Sequence, residues 1–120
     1  MTNPAEPTDP GAASALEQAA FDAAARAELR VLEDALVDVD PDDVDITSSD
    51  GILRLDLRDG TRVVINSHRA ARKIWMAAVS TAWHFDPEAD GRWVARRTGE
   101  ALRPTLAKLV RERIGVTLPL

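Results

Sequence analysis

The sequence predicts an α+β domain built as a two-layer α-β sandwich, in which two terminal helices pack on one face of an antiparallel sheet of about six strands. Two observations lead to this prediction. Apolar residues recur at steps of three and four near both ends of the chain, and at steps of two through its middle. The length of 120 residues suits a single domain with a substantial core.

The first helix is predicted over residues 13–37. Residues 1–12 contain three prolines and a glycine, and are expected to form a disordered tail. From residue 13 onward the chain is rich in Ala, Leu, Glu and Arg, which favour helices. Apolar residues at helical spacing form one stripe, which is expected to face the sheet. The stripe comprises Phe21, Ala25, Leu29, Leu32 and Leu36.

A hairpin is predicted where leucines alternate with charged residues at positions 53–57 and a return strand follows at 61–66. A two-residue loop would place apolar and charged side chains on the same face. A three-residue loop with Gly60 at positive φ instead places Leu55 opposite Val63, so the three-residue loop is expected. Further strands are predicted at residues 43–47, 72–79, 83–86 and 92–96.

The second helix is predicted to begin with Thr98 as its N-cap and to end near Arg113, with Gly115 closing it. Pro104 would lie far enough inside this helix to disturb its first turn. The folded domain is therefore expected to span residues 13–115, and residues 116–120 are expected to form a C-terminal tail.

The composition excludes several classes of protein. With no cysteine, the chain has no disulfides, thiolate metal sites or thiol nucleophile. The first residues lack the basic and apolar regions of a secretory signal, and the longest apolar run, residues 74–79, is too short to span a membrane. We therefore expect a soluble, cytoplasmic protein. The net charge of −5 argues against a nucleic-acid partner.

Charge is divided unevenly along the chain. Residues 1–50 carry 13 acidic and 2 basic side chains, whereas residues 51–120 carry 7 acidic and 13 basic ones. The acidic cluster comprises Glu33, Asp34, Asp38, Asp40, Asp42, Asp43 and Asp45. Its spacing does not match an EF-hand loop, so it offers at most a shallow surface that binds cations weakly. A solvated face without a ligand is the simpler interpretation.

Trp75 is expected to point away from the helices, because it alternates with apolar neighbours on its strand. A large ring at such a position, with polar residues around it, is typical of an interface anchor. The expected polar neighbours are Asn66, Arg54, Arg62 and Lys73. The alternative is that the tail or a neighbouring strand covers the ring.

Signals for catalysis are few. The chain has two histidines, His68 and His84, and lacks a glycine-rich phosphate loop, a metal-hydrolase helix motif and a Ser-His-Asp set. An enzyme is therefore not expected.

The chain resembles the frataxin family, in its bacterial branch, over about residues 17–113. The most specific feature is the spacing of Ile65-Asn66 and Trp75, with eight residues between Asn66 and Trp75, followed by a strand that contains His84. The other matching segments are the acidic first helix and strand, Asp50-Gly51-Ile52-Leu53, Asp59-Gly60-Thr61-Arg62-Val63-Val64, Lys73-Ile74, Trp83-His84-Phe85-Asp86, Trp93 and Arg97-Thr98-Gly99-Glu100.

This resemblance implies a role in iron–sulfur cluster assembly. It implies that exchangeable Fe²⁺ or Fe³⁺ binds weakly along the acidic cluster. It also implies a monomer that contacts a cysteine desulfurase and a scaffold protein, as iron donor or regulator. Oligomers that form with iron are left open. Asn66 and Trp75 would lie on the family's partner surface. An adaptor that needs no iron is the main alternative, and ferrous iron oxidation is not favoured.

The chain departs from the family pattern at that partner surface. His68 and Lys73 replace the usual glutamines, and residues 79–82 replace the usual glycines.

Overall fold

Two helices pack on one face of a six-stranded antiparallel sheet in this computed structural model, which describes the backbone of residues 10–120 and the side chains of residues 15–120. The strands are paired in chain order, so each strand lies beside its sequence neighbours. The predicted fold class is confirmed. The elements are α1 (Pro10–Leu36), β1 (Val44–Ser49), β2 (Ile52–Leu57), β3 (Arg62–His68), β4 (Lys73–Ala78), β5 (Thr81–Pro87), β6 (Trp93–Val94) and α2 (Leu102–Ile114).

The β2–β3 hairpin has the predicted register. Leu55 lies opposite Val63, and the residue that begins the turn, Leu57, donates its N–H to the carbonyl of Thr61 at 2.8 Å. Gly60 has a φ of +90°, which an L side chain rarely adopts. The need to keep one face apolar therefore selects the three-residue loop.

The core lies between the helices and the inner face of the sheet. All five residues of the predicted α1 stripe are buried, and Leu32 and Leu36 are essentially inaccessible. Full burial of one leucine contributes about 1.5–3 kcal/mol, so this stripe is a major contributor to stability. The α2 residues that face the core are Leu102, Leu106, Val110 and Ile114.

The two ends of the chain differ from the expected tails. Helix α1 begins at Pro10, within the predicted tail of residues 1–12, of which residues 1–9 lie outside the described residues. At the other end, Leu118 is only 4% exposed and belongs to the core, although residues 116–120 have no regular secondary structure. Among the described residues, no helix combines the length and the apolar composition that crossing a membrane requires.

The start of α2 is later than the sequence predicts. Residues 95–100 form a turn in which the N–H of Ala95 donates to the carbonyl of Glu100, and Val94 bridges to Ala101. The helix can begin only after this bridge, so Ala101 is the N-cap residue and the prediction of Thr98 is wrong. Pro104 then falls within the first turn, where its missing N–H has no helical acceptor.

An ion pair between the helices was not predicted. Glu28 on α1 is 4% exposed, and its carboxylate accepts two hydrogen bonds from Arg103 on α2, at 3.0 and 2.8 Å. These hydrogen bonds raise the pKa of Arg103 above its ordinary value. The pair fixes the two helices side by side on the sheet.

Candidate functional site

The acidic cluster predicted from the sequence lies on one edge of the molecule, where α1 ends and β1 begins. We call it the acidic ridge. Two of its residues lie in the last turn of α1, four in the connection, and one on the exposed side of β1. The ridge comprises Glu33, Asp34, Asp38, Asp40, Asp42, Asp43 and Asp45.

Several ridge carboxylates already have partners. Glu33 accepts a hydrogen bond from the hydroxyl of Ser48 on β1. Asp43 forms an ion pair with Arg58, with an N–O distance of 2.6 Å. The Asp40 carboxylate accepts the backbone N–H of Asp42 at 2.9 Å, which shapes the turn before β1. These contacts hold the ridge in one conformation despite the repulsion between its carboxylates.

Three other ridge carboxylates, on Asp38, Asp42 and Asp45, are exposed and accept no hydrogen bond or ion pair from any described side chain. Asp45 also lies directly opposite Asp56 in the β1–β2 pair, which brings like charges together. Within the part of the chain that the structure describes, no three acidic or histidine side chains converge as a metal cage would require. A cation on this ridge would therefore keep much of its water shell.

The outer face of the sheet, turned away from the helices, carries the second predicted feature. Strand pairing places Ile52, Asn66, Trp75 and His84 in one row across four strands. The expected outward direction of Trp75 is thus consistent with the register, and Asn66 is its direct cross-strand neighbour.

Two imidazole rings cover Trp75. The ring of His68 stacks on one side at a centroid distance of 4.0 Å, and that of His84 stacks at 4.6 Å. The backbone N–H of Ala71 donates to Nδ1 of His68 at 3.2 Å, which holds the first ring in place. The indole N–H of Trp75 is buried and has no acceptor among the described residues. Neighbouring strands therefore cover much of this ring, as one of the two interpretations expected.

The expected basic surround of Trp75 is formed only in part. Lys73 lies two positions away on the same strand and pairs with Asp86 at 3.2 Å. Arg54 and Arg62 instead lie on the side of the face nearer the ridge, where both bind the Asp56 carboxylate at 3.1 and 2.9 Å. The hydrogen bond from Arg62 is the main reason that the pKa of Asp56 is lowered.

The stack of His68, Trp75 and His84 was missed at the sequence level, although the signal was present. Residues two apart on a strand share a face, so His68 lies on the same face as Asn66, and the β4–β5 register then places His84 beside Trp75. What the sequence did not provide was the side-chain rotamers that bring the three rings into contact.

Comparison with known proteins identifies close relatives. A family model described as "Frataxin-like domain" matches residues 14–116. A protein of Azotobacter vinelandii named iron-sulfur cluster assembly protein CyaY is 36% identical over 88 residues, which cover 72% of this chain and 79% of that protein. The protein of the same name from Ralstonia nicotianae is 36% identical over 109 residues, which cover 88% and 95%.

Two solved structures have the same architecture. A frataxin from Psychromonas ingrahamii superimposes with a TM-score of 0.78, at 21% identity, over 84% of this chain and 94% of that one. The trimeric yeast frataxin from Saccharomyces cerevisiae, complexed with ferrous iron, gives a TM-score of 0.68 at 30% identity, over 78% of this chain and 87% of that one. The first match supports the fold alone, and the second is a relative in both fold and sequence.

Proposed function

Because this chain belongs to the frataxin family, we propose that it acts in iron–sulfur cluster assembly, as its CyaY relatives are named for doing. We propose that it acts through binding rather than catalysis, with iron as cargo that it delivers or as a signal that regulates its partners. The partners we propose are a cysteine desulfurase and its scaffold protein.

The observation that carries this proposal is the set of exposed ridge carboxylates without partners. Asp38, Asp42 and Asp45 lie within one short stretch of chain, and all three are exposed. Carboxylate oxygens suit hard cations, and a bound cation would relieve the repulsion between these groups. Because the described residues offer no cage, the ion would remain hydrated and exchangeable, as a carrier of cargo requires.

The outer sheet face supports the proposed contact with partners. His68, Trp75 and His84 form one stack of three aromatic rings on this face, and the stack holds Trp75 in one orientation before binding. A rigid aromatic group costs little conformational entropy when it is buried at an interface. The ridge can contribute to the same complex, because a negative edge favours docking on an arginine-rich surface.

Titration of Fe²⁺ into the protein under anaerobic conditions tests the iron-binding part. We expect amide resonances of residues 33–45 to shift or broaden before those of α2. The triple variant Asp38→Asn, Asp42→Asn and Asp45→Asn should lose most of this response. Its midpoint of thermal unfolding should not fall, since like-charge repulsion is removed. Absence of any ridge perturbation at millimolar Fe²⁺ would sink the iron proposal.

A matched ridge control uses the carboxylate that has an ion-pair partner. Asp43→Asn removes one negative charge and also removes the pair with Arg58. We expect this variant to keep most of the Fe²⁺ response and to gain no stability. Equal loss of response in Asp43→Asn and in the triple variant would mean that Asp43, rather than the three unpaired groups, holds the ion.

The adaptor alternative is tested by partner binding without iron. Trp75→Ala should weaken binding to a desulfurase–scaffold complex at least tenfold, the size of effect seen when a central aromatic anchor is removed. Ala77→Ser, on the same strand and face, is the control and should leave binding unchanged. If chelated, iron-free protein binds as tightly as iron-loaded protein, the adaptor role is favoured over iron delivery.

A further inference from the structure

A polar groove separates α1 from the end of the sheet at the β1–β2 turn, with a volume of about 620 Å³. This volume falls in the range of small-molecule sites. Its principal lining residues are Asp22, Arg26, Arg30, Glu33, Ser48 and Arg69, and we call it the α1 groove. It lies outside the outer sheet face and meets the acidic ridge only at Glu33.

The two ends of the α1 groove are closed by contacts between its walls. At one end, Arg69 donates two hydrogen bonds to the carboxylate of Asp22, at 3.0 and 2.8 Å. These bonds lower the pKa of Asp22. At the other end, Ser48 donates to Glu33. Both end carboxylates are therefore engaged across the groove, and the space between them stays open.

The middle of the groove is lined by two guanidinium groups on α1. Arg26 and Arg30 are four residues apart, so they lie on the same helix face with their Cβ atoms about 6 Å apart. They are also the only basic residues among the first 50, which carry 13 acidic ones. Both basic side chains of the acidic half of the molecule therefore lie in the same groove.

These guanidinium groups have donors to spare. Arg26 donates no hydrogen bond to any described residue, although its charge attracts Asp22 and helps to lower the pKa of that carboxyl. The contact of Arg30 is a 3.5 Å pair with Asp34 in which both side chains are at least 70% exposed, and such pairs contribute little. Leu29, 7% exposed, provides an apolar patch between them on the groove wall.

We propose that the α1 groove binds a small organic anion with two or more oxyanion groups, either a polycarboxylate or an organic phosphate. Guanidinium groups bind both kinds of oxyanion through paired hydrogen bonds, and the apolar patch at Leu29 suits the carbon skeleton of such a ligand. Asp50, on the opposite wall at the turn, is the one carboxylate of the lining without a partner among the described residues. The negative charge of Asp50 repels a bound anion and therefore lowers the affinity of the groove for that anion.

The test uses metal-free protein at about 0.15 M salt, with tricarballylate as the carboxylate probe and glycerol 2-phosphate as the phosphate probe. Amide resonances at residues 26–30, 48–51 and 67–69 should shift in a saturable manner with at least one probe. Saturation by one probe alone identifies its oxyanion class. Because no iron is present, the result is independent of the proposed function in cluster assembly.

Three variants decide whether the groove is the site. Arg26→Gln with Arg30→Gln should weaken binding about a hundredfold, since each of the two lost charge-assisted bonds is worth roughly a factor of ten. The control, Arg97→Gln with Arg111→Gln, removes two exposed arginines outside the groove and should change affinity less than twofold. Asp50→Asn, which tolerates the positive φ at that position, should tighten binding.

Three results would overturn the proposal. The first is that neither probe saturates, and the second is that the control pair weakens binding as much as the groove pair. The third is that Asp50→Asn weakens binding, since a site that needs Asp50 takes a cation. Circular dichroism of each variant should show an intact fold, because all the replaced side chains are exposed.

Discussion

Val79 is held in a backbone conformation that a β-branched residue rarely adopts, and replacing it with glycine should stabilise the protein. It begins the two-residue turn between β4 and β5, with a φ of 58°. Ser80 has no positive φ, so the turn has the dihedral pattern in which glycine is preferred at the first position. The Val79 side chain is 70% exposed and contributes little to the core.

The size of the effect follows from two opposing contributions. A left-handed conformation costs an L residue about 1–2 kcal/mol, and this cost disappears in Val79→Gly. Glycine has more freedom in the unfolded chain, which costs about 0.5–1 kcal/mol. Since almost no buried area is lost, the free energy of unfolding should rise by about 0.5–1 kcal/mol. For a domain of this size, the unfolding midpoint should rise by about 2–6 °C.

Thermal unfolding followed by circular dichroism measures this shift, and Ala82→Gly is the matched control. Ala82 is exposed on the neighbouring strand and has no positive φ, so glycine there gains no relief of strain. Its unfolding midpoint should fall. If Val79→Gly lowers the midpoint as much as Ala82→Gly does, the backbone at Val79 stores no strain and the reasoning fails.

Three further predictions concern the helices, the charges and the C-terminus. Arg103→Met should lower the free energy of unfolding in urea by about 3 kcal/mol, because it leaves the buried carboxylate of Glu28 unpaired. Glu28→Gln should lower it by less, because Arg103 can then turn to solvent. Equal losses in the two variants would contradict this prediction. Arg62 lowers the pKa of Asp56 in the folded protein, so the ionised carboxylate of Asp56 stabilises the fold. This contribution is complete above the ordinary Asp pKa near 3.8, and it is lost as the pH falls through the lowered pKa of the folded state. In urea unfolding from pH 6 to pH 2, the advantage of wild type over Asp56→Asn should therefore vanish at the acidic end, and a constant advantage would refute this. Leu118→Ala should cost at least about 2 kcal/mol in the same assay, and a negligible loss would mean that the C-terminal segment is not part of the core.

Much of the fold could be predicted from local patterns. The register of β2 and β3 followed from a single requirement, that Leu55 and Val63 share the buried face. The α1 stripe followed from helical spacing in the same way. These predictions succeeded because burial of apolar side chains decides the outcome and the periodicity is visible in the sequence.

The features that the sequence did not predict depend on pairings that local patterns do not show. The start of α2 is set by a bridge between Val94 and Ala101, which competes with the local capping preference of Thr98. The ion pair of Glu28 and Arg103 joins residues 75 positions apart. No local pattern contains these pairings.

The candidate site shows the same division. The acidic ridge could be predicted as a cluster because its residues are close in sequence. Which of its carboxylates lack partners could not be predicted, because Arg58 in the β2–β3 turn pairs with Asp43, and Ser48 on β1 donates to Glu33. The covering of Trp75 by two imidazoles likewise depends on the packing of three neighbouring strands.

The central claim, a role in iron–sulfur cluster assembly that depends on the ridge, is tested most directly by the rate of cluster formation. A cognate desulfurase and scaffold, supplied with cysteine and Fe²⁺, are followed by visible absorbance with and without the protein. We predict that the protein changes the initial rate, that the Asp38, Asp42 and Asp45 triple asparagine variant loses most of this effect, and that Arg97→Gln retains it. An initial rate that is the same with and without wild-type protein would contradict the account.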